Sequence, residues 1–130
     1  PSFAQFTDIP VPKDAEMNVS ETVVFGGHDA WSGQLVLDTG HQHSDMFDFF
    51  KGEMPKFGWE EITAVRTNQS VMAYTREERV ATIQIESMKL GGSEVRMVVA
   101  PRNPNGSASA QRLFNSAPVA KDPKPLITVN

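Results

Sequence analysis

Two histidines two residues apart, His41 and His43, stand just ahead of Asp45 and Asp48, the one place in the chain where residue types and spacing approach those of a metal site. In an extended loop, residues i and i+2 point the same way, so two imidazoles could share an ion with a carboxylate, and His28 or Asp29 could complete four ligands. The spacing matches no established metal signature, and polar loops commonly precede helices. The expectation is therefore no metal and no cofactor. The acidic pairs Glu60–Glu61 and Glu77–Glu78 fail as acid-base dyads for a geometric reason: neighbouring strand residues face opposite ways, and the second pair sits in a turn between Arg76 and Arg79. No G-x-S-x-G elbow is present, and Gly26–Gly27 and Gly91–Gly92 lack the strand-to-helix setting of a phosphate loop. These residues predict no enzyme.

The elements that position them follow from periodicity. Phe47, Phe50, Met54 and Phe57 form a helical stripe, widened by Met46 and Phe49, within one amphipathic helix over Asp45–Trp59. Ser44 is the expected N-cap, Asp45 and Asp48 suit the positive end of the dipole, Pro55 should bend the last turn, and Gly58 should end it. Alternating segments follow at 59–66, 70–75, 79–87 and 94–100, with Ala81, Ile83 and Ile85 facing one way and Thr82, Gln84 and Glu86 the other. Short connections make these a meander. Upstream, 21–25 and 31–37 read as a hairpin, and Phe6–Pro12 as an edge strand confined there by its prolines. The expected fold is α+β: one main helix on a twisted, largely antiparallel sheet of about six strands.

Composition sets the boundaries. A chain of 130 residues suits one domain with a real core. The net charge of −4, with both signs interspersed, argues against nucleic acid, and no apolar run approaches a membrane span. Cysteine is absent, which excludes disulfides and thiolate chemistry. The chain starts at Pro1 rather than Met, which suggests processing or trimming, with any signal peptide or lipid-bearing cysteine upstream. The domain is expected to span residues 1–102, and 103–130 to be an extended tail rich in Pro, Ser and Asn.

For partners, the tail ends in Leu126, Ile127 and Val129, a short β-prone segment of the kind that adds a strand to another sheet, and Leu113–Phe114 is a second anchor. The alternative is a tail folded back over its own domain. Trp31, beside a turn, is expected at the rim of a protein interface, whereas Trp59 should plug the junction of helix and sheet.

The run F-F-K-G-E-M-P-K-F-G-W from Phe49 to Trp59, followed by T-A-V-R, V-M-A-Y-T-R and A-T-I-Q-I, resembles small bacterial cell-envelope proteins, often lipoproteins, in which a helix ending in a Met-Pro-x-x-Gly-Trp-like step leads into a meander. The resemblance covers about residues 6–101 and carries no catalytic residues. It implies an exported, periplasmic protein, tethered to the outer membrane by an upstream lipid anchor and bound to other subunits of an envelope assembly, such as a secretion-system core or an outer-membrane assembly machine. A small-ligand carrier or sensor, with a pocket near Trp31 and the His41–His43 loop, is the alternative.

Overall fold

The computed structural model describes residues 2–27 and 30–102. Among the described residues seven strands form one antiparallel sheet in the order β1-β3-β7-β6-β5-β4, with β2 also paired to β3. They are β1 (Glu16–Met17), β2 (Val23–Phe25), β3 (Ser32–Thr39), β4 (Glu60–Val65), β5 (Gln69–Arg76), β6 (Arg79–Ser87) and β7 (Ser93–Pro101). The expected α+β architecture is the observed one. The predicted hairpin is β2–β3, and the predicted meander is β4 to β7, closed onto the hairpin by the β3–β7 ladder.

The helix α1 runs over His43–Glu53 and tightens into a 3-10 turn at Met54–Phe57. Its stripe buries Met46, Phe47, Phe50 and Met54 against Leu35, Met97, Ile83 and Met72, so one face of the sheet carries the core. Complete burial makes Phe50 one of the costliest side chains to truncate, at about 3–5 kcal/mol for a change to Ala. Gly58 ends the turn with φ 90°, its amide bonded to the Pro55 carbonyl and the Trp59 amide to that of Met54. That is the left-handed cap that glycine adopts without strain.

Two local expectations are corrected. The helix begins two residues earlier than a Ser44 cap would place it: Gln42 is the N-cap, without a side-chain bond, and His43 enters the first turn with its ring against Ser70. Residues 6–12 hold a turn at 7–9 and no strand, in place of the expected edge strand. Phe6 and Ile9 both enter the core there, and the Ile9 amide bonds to the Phe6 carbonyl at 3.2 Å, a spacing of three that a turn satisfies and a strand does not. The strand edge between β1 and β2 is interrupted at residues 19–21, where Thr22 Oγ1 accepts from the Val36 amide at 3.1 Å and replaces a ladder bond. Gly33 makes the return of β2 possible, since a Cβ there would lie 2.1 Å from the Val23 carbonyl oxygen.

Candidate functional site

Indole N–H groups taken into a core need acceptors, and both tryptophans of this chain find theirs on one residue. Trp31 Nε1 donates to Asp8 Oδ1 at 2.8 Å, and Trp59 Nε1 donates to the Asp8 backbone carbonyl at 2.8 Å. The same carboxylate accepts from Arg76 Nη1 at 3.2 Å and from Arg79 Nη2, while Arg79 Nη1 donates to the Trp31 carbonyl at 3.2 Å. The Arg79 guanidinium lies 5.2 Å from the centroid of Trp59 and 6.0 Å from that of Trp31, and Phe6 meets Trp31 edge-on at 4.7 Å. Gly58 leaves room for this arrangement, because a Cβ on it would sit 3.0 Å from Arg76 Nε. Thus the Gly-Trp step that ends the helix also seats a buried knot of one carboxylate, two guanidiniums and two indoles.

Trp31 is therefore no interface rim: it is wholly buried, with its polar atom occupied by Asp8. Trp59 is buried at the junction of helix and sheet, as its position after the terminator implied. Asp8, Arg76 and Arg79 escape sequence reasoning, since the partners are up to 71 residues apart and no periodicity links them. The available signal was the pair of tryptophans, which require buried acceptors.

At the opposite end of β5 and β6, His43 Nε2 lies 3.1 Å from Ser70 Oγ, itself fully buried. His41 is exposed and Nε2 lies 3.2 Å from the Lys13 carbonyl, while Ser93 Oγ donates to the His41 carbonyl at 2.8 Å. Asp45 is exposed, and Asp48 pairs with Arg66 at 3.3 Å. Among the described residues no three His, Asp or Glu side chains converge as metal ligands; His28 and Asp29 lie outside them. A shallow depression of about 390 Å³ borders this corner, lined by Gln42, His43, Ser44, Ser87 and Met88. A second, of about 290 Å³, lies beside Arg79, Ala30 and Pro101. Among the described residues, Trp31 and the His41–His43 loop are thus at opposite ends of the sheet and share neither depression.

The acidic pairs behave as strand and turn residues. Glu61 is paired with Lys51 at 2.9 Å, and Glu77, with φ 55°, and Glu78 form the β5–β6 turn. Tyr74 faces the core with its hydroxyl unpartnered among the described residues, and burial, followed by the nearby Glu61 charge, pushes its pKa up to about 12.

Exposed apolar side chains collect at the sheet edges. Val23 and Phe25 project from β2 while Val24 between them packs on the core, and Val19 on the preceding turn is also exposed; Phe25 is 64% exposed. Ile62 and Val65 are exposed on β4 at the other edge. That strand carries Glu60, Glu61 and a bulge between Glu61 and Thr63, features that discourage pairing with another chain. The anchors Leu113, Phe114, Leu126, Ile127 and Val129 lie outside the described residues. No helix of the described residues is long and apolar enough to cross a membrane. Comparison with family models, with curated proteins and with solved structures finds no match.

Proposed function

We propose that this chain is a non-enzymatic docking subunit of a bacterial envelope assembly, working in the periplasm through contacts with other protein subunits. The observation that carries the docking reading is the exposed apolar pair Val23 and Phe25 on one face of β2, with Val19 exposed on the turn before it. Adjacent exposed apolar side chains of this kind mark interaction surfaces, whereas isolated ones do not. The polar clusters support it from the other side: the Asp8 carboxylate and both indole N–H groups are bonded within the fold, and Ser70 is buried where a substrate could not meet it. The C-terminal segment with Leu126, Ile127 and Val129 supplies the second contact by adding a strand to the partner's sheet. The envelope setting, outer-membrane association and lipid tether rest on the resemblance of residues 49–59 and the strand sequences after it.

The test is co-purification from solubilised envelopes. Replacing Val23 and Phe25 with Ser removes exposed side chains and should leave folding intact while stripping away the partner subunits. Deleting residues 118–130 should do the same. Undiminished recovery of the same neighbours with both variants would overturn the reading.

A further inference from the structure

A single-layer antiparallel sheet covered on one face is expected to show polar side chains on the other. Here the second face is divided along the strands. At one end Arg96, Glu94 and Glu86 give it the expected character, with Arg96 donating to Glu21 at 2.8 Å. Toward the other end the ladder places Val98 opposite Thr82, and Ala100 opposite Val80. Val80 and Ala100 form a small apolar cluster apart from the main core and, with Val98, are 3–4% exposed. The described helical segments carry their buried apolar side chains to the other face, where Phe47, Phe50 and Met54 pack. This apolar half is also where the chain leaves the sheet. Arg102, one residue past β7, donates its amide to the Glu78 carbonyl and its Nη1 to Thr75 Oγ1 at 3.0 Å. Thr75 follows core-facing Tyr74, so it lies on the second face and draws the outgoing chain toward it.

We infer that the segment after Arg102 docks on this half of the helix-free face of its own molecule, with Leu113–Phe114 as its apolar anchor over Val80, Val98 and Ala100. Leu113 and Phe114 are the first bulky apolar residues after Arg102. The 11 residues from Arg102 to Leu113 can span roughly 35 Å when extended, against about 5 Å per strand, so the pair reaches any point on the face. The strand-adding segment proposed for a partner begins beyond Pro118 and is not used here, which keeps the two proposals separable.

The experiment is methyl and aromatic NMR on the full chain. Cross-peaks are expected between the Phe114 ring and the methyls of Val80, Val98 and Ala100. The double substitution Leu113→Ser and Phe114→Ser should abolish them and shift those methyl resonances, leaving Leu35 and Ile83 on the core face unchanged. Deleting residues 118–130 should leave the cross-peaks in place. Two results would overturn the inference: methyl resonances on the helix-free face that ignore the double substitution, and cross-peaks that arise only between differently labelled molecules, which would make a second copy the occupant.

Discussion

The two ends of the sheet gather the chain's polar chemistry in different ways. At the β5–β6 turn, Asp8 is shared by Arg76, Arg79 and the two indoles, with Asp8 and Arg79 almost fully buried. At the helix start, His43 Nε2 meets the hydroxyl and the backbone amide of Ser70, and His41 stands in solvent. The difference is one of desolvation. Buried charges are tolerated only when every partner is present, so the first end is an all-or-none device that ties the N-terminal segment to strands some 70 residues away, whereas the second end is a set of replaceable contacts.

The largest effect should come from Asp8→Ala. It leaves two guanidiniums facing each other in the knot, and removing one partner of a buried pair typically costs about 3–5 kcal/mol. Urea unfolding should register that loss. Combining it with Arg79→Met should cost much less than the sum of the single changes, because the second substitution removes the charge the first left unpaired. Additive losses would show that the two residues act independently.

Trp31→Phe is the next step down. A phenyl ring keeps part of the packing, but the N–H to the carboxylate is gone, and a hydrogen bond to a charged group is worth about 1.5–3 kcal/mol. The same unfolding measurement applies. At the opposite end, Ser70→Ala should cost only about 1 kcal/mol, since what is lost is a hydroxyl's hydrogen bonds with Thr67 and His43. If Ser70→Ala proved as damaging as Asp8→Ala, the contrast between the two ends would collapse.

The same contrast marks what the sequence could convey. Strands β5 to β7 were legible because Ala81, Ile83 and Ile85 repeat with a period of two, and the helix because Phe47, Phe50 and Met54 repeat at helical spacing. Even the terminator Gly58 was readable, because a left-handed cap has a composition of its own. Residues 6–12 misled because prolines allow an edge strand and a turn equally, and burial of Phe6 and Ile9 decided between them. Trp31 misled because proximity to a turn says nothing about a partner far away in the chain. Its burial is set by Asp8, 23 residues upstream, and by Arg79, 48 residues downstream. The knot is a tertiary event, without a local signature.

The smallest expected effect lies close to the knot and tests the rule behind it. Tyr74 pairs with Ala81 in the β5–β6 ladder, and its buried hydroxyl has no hydrogen-bond partner among the described residues. Removing an unsatisfied hydroxyl forfeits no bond, so Tyr74→Phe should leave stability at neutral pH unchanged or slightly raised, by less than about 1 kcal/mol. Its signature should appear in alkali. The folded phenol keeps its proton to about pH 12, while an unfolded one releases it near 10, so the native state binds more protons between these values. Stability then falls as pH rises through that interval, and the Phe variant should lack this share of the fall. Unfolding curves of the two proteins at pH 8 and pH 11 are enough to check it. An alkaline loss identical in both would mean that Tyr74 is solvated in the native state, and that this end of the sheet holds its polar groups less tightly than the bonds to Asp8 imply.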